Sequence, residues 1–530
     1  MIDPQSYHNL LEYHDRTKHQ LYKYAQGPDG LDWANQPNPF RIYEGAPKIE
    51  LPRSFDLAPR NYHALFQNSE LATESFNLQR ISWFLFHSLS LSAWKQYGTN
   101  SWPLRVNPSS GNLHPTECYL ILPQLLQEQE SPVIAHYSAL EHALEIRREL
   151  DLDYWEKLRG SFPEETFFLA LTSISWREAW KYGERAWRYC HIDLGHALSA
   201  INVAASGLGW HLSLIEGATT AELSQLLGLQ DRSFPEREIP DCLLAITRIP
   251  PQNSWQCTIP EQTDLDSQHW LGKPNQLSPQ QLSWSVIEQI ETLCEKKEQI
   301  ETLNFQNLAP APLPTIPLSF DLETLVRQRR SAVAFDGESF ISRKDFLRML
   351  QRSCQGSNSP LLSCIPWAPQ VHLLLYVHRV RDMDPGIYIL VRNPQQEEQL
   401  KKAFKEETQW EVVRDIPEDM HLYCLSKMDA RELAKTVSCH QSIAADGCFA
   451  ISMISLFEEP IQKFGASLYP RLYWECGALG QLFYLEAEAA QLRGTGIGCF
   501  FDDAVHQMLG IEGHAFQDLY HFTMGGPVED

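Results

Sequence analysis

Short apolar runs punctuate this chain, separated by segments whose apolar residues recur at helical spacing. From about residue 76 to 250 the strand-like runs CYLILP, FFLALTSI and CLLAITRI alternate with the helical stretches LSAINVAASGLGW and TTAELSQLLGL. Thr219, followed three residues later by Glu222, marks a capped start for the second of these helices. The same alternation resumes beyond about residue 318, where LLLYVHRV and CFAISMISLF read as strands and QLFYLEAEAAQL as a buried helix. Each half predicts one mixed domain of strands and helices.

The halves are related. Lys181, Gly183, Gly195 and Gly228 reappear as Lys463, Gly465, Gly477 and Gly510, all displaced by the same 282 positions, so residues 181–229 recur at 463–511 without net insertion. A period of that length exceeds any solenoid unit and marks two similar domains fused in one chain. The organisation predicted is an arm over 1–75, a first domain over 76–250, a helical and proline-rich linker over 251–317, and a second domain over 318–530. The arm is rich in Pro, Asn and Tyr with little periodicity, which suits an extended segment lying over other structure. In the linker, SWSVIEQIETLCEKKEQIETL reads as a helix and APAPLPTIPLSF as a stiff extended connector.

At 530 residues the chain can bury two full cores. Its formal charge of −23 opposes general affinity for nucleic acid or an anionic membrane surface, both of which require a basic face. With no apolar signal core at the N-terminus and no run of about 18 apolar residues, a cytoplasmic protein is expected. The 12 cysteines include no CxxC pair and no alternating Cys/His cluster, so no metal site is predicted. Each, Cys439 beside His440 included, reads as a reduced small core residue.

Three segments could carry chemistry. Pro108, Ser109, Ser110, Gly111 and Asn112 form a tight loop before the strand CYLIL, whose backbone N–H groups and polar side chains could bind a planar polar ring or a phosphate. Arg329, Arg330 and Ser331 follow the helical stretch DLETLVRQ, and two forked guanidiniums with a hydroxyl match the oxygens of a dianionic phosphate. Gly496, Ile497 and Gly498 lie in RGTGIGCF, ahead of a helix that Asp502 or Asp503 would cap. Alternate glycines there could present backbone N–H groups to a ligand face, or simply connect helix to strand. The stretch does not match the GxGxxG dinucleotide fingerprint.

Together these segments resemble the nitroreductase-like flavoproteins, and most closely the SagB-type dehydrogenase branch that includes azoline oxidases. The matching stretches are PSSGNLHPTECYLIL, RRSAVAF, YWECGALGQLFYLEAEA, GTGIGCFFDD and the terminal HFTMGGPVED, with YHDRTKH near the start. The resemblance implies an α+β fold of two nitroreductase-type domains, each a mainly antiparallel sheet flanked by helices, forming an intramolecular pseudo-dimer. It implies FMN between the domains, held by Arg329, Arg330, Ser331, Gly496, Ile497 and Gly498 from one and by the loop Pro108–Asn112 from the other. Because the first domain has FQNSELATESF in place of Arg-Arg-Ser and the second has LSCIPWAP in place of the serine loop, one flavin per chain is expected. At the offset of 282, Gly496 and Gly498 correspond to Leu214 and Glu216, which would crowd the other site. The family commonly has a basic residue where Val333 stands, so Arg493 or Arg105 would have to supply that charge. Lys181 and Tyr182 match the Lys-Tyr motif of azoline oxidases, which implies a lysine in a dry pocket accepting a proton that a phenol positions or relays, although the recurrence of KxG at Lys463 equally suits a structural turn. The activity implied is FMN-dependent hydride transfer from a small heterocyclic substrate, with a peptide-modifying cyclodehydratase as a partner. The alternatives are an NAD(P)H-dependent nitro or quinone reductase and a non-catalytic flavin-binding scaffold, in either case a monomeric pseudo-dimer or weak homodimer.

Overall fold

A computed structural model describes residues 2–67, 72–125, 130–230, 236–260, 270–298, 320–356 and 359–528. The proline-rich run APAPLPTIPLSF lies outside them but for its last residue, as do four residues of FQNSELATESF. The chain divides into two compact units. Gly27–Thr302 with Asp321–Arg327 make the N-terminal unit, and Met1–Gln26 with Gln328–Asp530 make the C-terminal unit.

The N-terminal unit is built on a seven-stranded sheet in the order Lys48–Glu50, Ala143–Glu149, Val133–Ser138, Thr116–Leu122, Thr166–Ser173, Ile239–Thr247, His211–Leu214, with every pair antiparallel. The C-terminal unit repeats it: Glu411–Val412, His421–Lys427, Gly386–Val391, Val371–Val377, Phe449–Leu456, Phe516–Gly525, Arg493–Ile497, again all antiparallel. The architecture is mixed α and β, two antiparallel sheets flanked by helices.

Strand alternation builds each core. In the N-terminal unit Tyr119 and Ile121, Phe168 and Ala170, and Leu243 and Ala245 point to one face, where Tyr154, Trp155 and Leu158 of helix Leu152–Arg159 and Leu223 and Leu226 of helix Thr220–Leu226 cover them. Leu374, Tyr376, Ile387, Ile389, Ile454 and Leu456 do the same in the C-terminal unit against Ala434, Val437, Val505 and Leu509. A long helix touches each central sheet, Ala186–Gly207 in one unit and Tyr469–Ala489 in the other. Every residue of the second is buried, the situation expected of a helix with no polar face.

The recurring glycine before each long helix has a backbone reason. Gly183 (φ 55°) and Gly465 (φ 94°) end the preceding helices in conformations that disfavour a side chain, and their N–H groups close those helices onto Ala179 and Ile461.

Three expectations change. Residues 4–16 are not extended: Pro4–Arg16 is a helix, N-capped by Asp3, and its His14 is buried between Tyr469 (2.9 Å) and Gln517 (2.9 Å) in the C-terminal unit. Arg493–Ile497 is an edge strand rather than a loop, because the flanking Thr and Ile complete the ladder with Phe516–Gly525. Neither Asp502 nor Asp503 caps the next helix. Phe501 occupies that position without a side-chain bond, and Asp502 is buried, accepting the His19 backbone N–H (3.0 Å). Thr219 and Glu222 do form a reciprocal capping box.

Candidate functional site

In the C-terminal unit the Arg329–Ser331 segment runs alongside the edge strand. Ser331 bridges Gly494 in parallel, the Ala332 N–H donates to the Gly494 carbonyl (3.2 Å), and Thr495 Oγ1 donates to the Ala332 carbonyl (2.8 Å). Backbone pairing therefore sets the arginines beside the glycines. Tyr484, from the long helix, joins them: its hydroxyl meets Ser331 Oγ (2.7 Å) and accepts the Gly496 N–H (2.9 Å), and the Arg329 guanidinium lies 4.9 Å over its ring. Arg329 is buried, which pushes its pKa down to about 10. Half-buried Arg330 is lowered by burial and then by the charge of Arg493. Arg493 itself donates to Glu488 (2.7 Å) and to the Gln328 carbonyl (2.8 Å). Burial raises the Glu488 carboxyl while the arginines pull it down. Three cationic side chains thus converge at one end of the edge strand.

The glycines serve a purpose different from the one expected. A Cβ on Gly496 would lie 1.8 Å from Tyr520 Oη and one on Gly494 2.5 Å from the Phe522 ring, so both admit aromatic side chains of the neighbouring strand. The Gly496 N–H is engaged by Tyr484 rather than presented outward. Ile497 is buried in the core and Gly498 follows it at the strand end.

In the N-terminal unit the loop Pro108–Asn112 turns through left-handed Gly111 (φ 57°), Asn112 (φ 61°) and, just beyond, His114 (φ 54°). Its polar side chains hold the loop itself: Ser109 Oγ accepts the His114 N–H (2.8 Å), Asn112 Nδ2 donates to Pro103 (2.8 Å), and Ser110 donates to Asp193 through both N (2.9 and 3.0 Å) and Oγ (2.9 Å). Lys181 and Tyr182, at the end of helix Ser175–Tyr182, come down on this loop. A Cβ on Gly111 would lie 2.6 Å from Tyr182 Oη and 3.1 Å from Lys181 Nζ. Behind them sit two buried acids. Burial lifts the Asp193 carboxyl to about 7 against the pull of the serine hydrogen bonds, and burial followed by the Asp193 charge raises Glu178 well above the usual range. A polar loop, a lysine, a phenol and two buried carboxyls with raised pKa therefore share one site.

The Nitroreductase family profile matches residues 68–245 and 326–526, more than half of the chain. This chain belongs to the nitroreductase family. A protein described as a nitroreductase from Anabaena variabilis has the same fold, with a TM-score of 0.70 at 22% identity over 98% of this chain and 99% of that one. Two further structures match about half of the chain or less. The E. coli microcin synthetase McbBCD complex with truncated pro-MccB17 bound gives a TM-score of 0.29 at 17% identity, covering 47% of this chain and 94% of that one. A nitroreductase-like protein from Exiguobacterium sibiricum, solved with FMN, gives 0.24 at 12%, covering 41% and 92%. Among curated proteins no match is found.

In this family member the candidates form two groups. Arg329, Arg330, Ser331 and Gly496 meet in the C-terminal unit, and Gly111, Lys181 and Tyr182 meet in the N-terminal unit with Ser109, Ser110 and Asn112. Arg105 is buried and donates to the Pro39 carbonyl (2.6 Å) within its own unit, whereas Arg493 stands in the arginine cluster. Sequence reasoning missed Tyr484, Tyr520, Glu178 and Asp193. A signal existed for Asp193, a charged residue inside the helical run CHIDLGHALSAI, but nothing in the linear pattern paired it with Ser110.

Proposed function

We propose that this protein is an FMN-dependent oxidoreductase resembling the SagB-type dehydrogenases, taking hydride from a small heterocyclic substrate, with one flavin per chain. The observation that carries the reading is the convergence of Arg329, Arg330, Arg493 and Ser331 beside the glycine strand. This donor set fits a flavin phosphate: guanidiniums offer forked N–H groups to a dianion, and the hydroxyl adds a further donor. Arg493 takes the part of the basic residue that Val333, 72% exposed, does not supply. Tyr484 orients Ser331 and Arg329, while Gly494 leaves room for Tyr484 and Phe522 and Gly496 for Tyr520. Ile497 and Gly498 contribute backbone at the strand end.

When bound, FMN supplies hydride acceptance. The protein's part is then to manage a proton. Lys181 Nζ, as the free amine, accepts the proton that the substrate loses and becomes the ammonium, and Tyr182 Oη positions or relays it. Asp193 fixes the serine loop beneath them. The assignment of Pro108, Ser109, Ser110, Gly111 and Asn112 to the flavin rests on the family resemblance, as does a cyclodehydratase partner.

The test is flavin release and quantitation on purified protein, followed by titration of the apo-protein. About one FMN per chain, weakened by both Arg329→Ala and Tyr484→Phe, is expected. Two flavins per chain, or an affinity indifferent to Arg329, would overturn the reading.

A further inference from the structure

Cys499 directly follows Gly498, and Cys439 lies in the turn between helices Arg431–Val437 and Ile443–Asp446. Their Sγ atoms are 2.7 Å apart, although the residues are separated by 60 positions and no disulfide joins them. A formed disulfide would be about 2.05 Å. Cys439 is thus not the core residue its sequence context predicts; both cysteines are half-buried.

The two sulfurs are held from both sides. Cys439 (φ 53°) and His440 (φ 58°) are consecutive non-glycine residues in the left-handed region, a conformation that persists only where surroundings enforce it. Gln441 Nε2 donates to the Ser438 carbonyl (3.0 Å) and to the Cys499 carbonyl (3.0 Å), and the Phe501 N–H donates to Val437 (2.8 Å). The turn and the strand end are therefore laced together with the thiols between them. The half-exposed Tyr24 phenol lies against this pair, its pKa raised by burial first and then by the two sulfurs. By contrast Cys118, Cys190, Cys294 and Cys476 are buried, and burial raises their thiols well above the usual range, which leaves them inert.

We propose that Cys439 and Cys499 are a redox-active pair that closes to an intramolecular disulfide beside Gly498. A low-molecular-weight disulfide such as oxidised glutathione is the oxidant. One cysteine thiolate attacks it, forming a mixed disulfide and releasing one glutathione thiol. The second cysteine displaces the other glutathione. In sum two S–H bonds and one S–S bond break, one S–S bond forms, and two protons with two electrons pass to the glutathione pair. Closure fastens the 438–441 turn covalently to the end of the glycine strand. The proposal stands on this geometry alone and does not depend on flavin binding.

The experiment treats the full chain with oxidised glutathione or with dithiothreitol, blocks remaining thiols with N-ethylmaleimide, and maps peptides by mass spectrometry. Oxidation should lower alkylation of Cys439 and Cys499 together at least tenfold and yield one cross-linked peptide pair. Dithiothreitol should reverse it. In Cys439→Ser the cross-link should vanish while Cys499 carries at most a single glutathione. Unchanged alkylation of both residues in the wild-type chain, or a separate glutathione on each with no cross-link, would overturn the proposal.

Discussion

Asp193 and Glu475 occupy the same place in the two units, 282 residues apart on the two long helices, and each anchors the loop that leads into a central strand. Asp193 holds that loop through Ser110, and burial keeps its carboxyl near 7. Glu475 accepts from Trp367 Nε1 (3.2 Å), the Gln370 and Val371 N–H groups, and Arg392 (2.6 Å). One unit thus keeps a protonatable carboxyl beneath a glycine loop on which Lys181 and Tyr182 rest. The other has converted the equivalent loop into a neutralised brace of tryptophan, backbone and arginine. The edge strands differ in the opposite sense: the C-terminal unit has Gly494 and Gly496 with three arginines nearby, while the N-terminal unit has Leu214 and a Glu216 paired with Lys296 (3.1 Å). The two copies of the fold thus keep different polar groups at equivalent places, a protonatable carboxyl under a loop in one and an arginine cluster beside an edge strand in the other.

The strongest way to break this comparison is at the lysines. We predict that Lys181→Ala and Tyr182→Phe each lower turnover about 10²- to 10⁴-fold with bound flavin unchanged, the usual loss of a general acid or base, whereas Lys463→Ala leaves turnover intact. Steady-state rates with flavin absorbance on the same samples decide it. Loss of flavin or of folding in the first two variants would make KxG a structural turn in both units.

The two helix carboxylates should respond to substitution with opposite signs. Glu475→Gln leaves the Arg392 guanidinium buried without its anion and is expected to cost about 3 to 5 kcal/mol. Asp193 has a folded-state pKa raised above its unfolded value, so its contribution to stability is present below about pH 4 and is lost as pH rises through about 7. Asp193→Asn should flatten that slope and, at pH 8, recover at most on the order of 4 kcal/mol. Urea unfolding between pH 4 and 8 measures both. An unchanged pH dependence in the asparagine variant would show that Asp193 is ionised in its loop.

A smaller effect sharpens the phosphate assignment. Arg329→Ala should weaken FMN by about 1.5 to 3 kcal/mol, the range for a charge-assisted contact, with Lys463→Ala neutral. Fluorescence titration of apo-protein distinguishes them, and equal losses would mean that the arginine cluster is not the phosphate site. The smallest effect concerns the matched helices after the edge strands. Thr219→Ala removes a reciprocal capping box and should cost about 1 kcal/mol of stability in thermal unfolding, whereas its counterpart helix begins at Phe501 with no side-chain cap to lose.

The linear pattern of this chain by itself determined the strands CYLIL and FFLALTS, the helical stretch LSAINVAASG, the buried helical stretch QLFYLEAEA, the Thr219 cap and the duplication. Periodicity and capping are local, and a constant offset needs no coordinates. Arg329–Ser331 stands out by residue type as a pair of forked cations, whereas Lys181 and Tyr182 stand out only through the family resemblance. Only tertiary structure decided what those residues meet. RGTGI reads as a loop because glycine weakens strand propensity, yet ladder bonds to Phe516–Gly525 make it a strand, and the missing side chains are needed for Tyr520 and Phe522 rather than for an open backbone face. Tyr484 is one aromatic among many in an apolar helix until the fold carries it to Ser331 and Gly496. Asp193 and Ser110 are 83 residues apart, and Cys439 and Cys499 are 60 apart. Burial, hydrogen bonding and sulfur contact at such separations are properties of the folded chain, since no local propensity encodes which distant group will arrive.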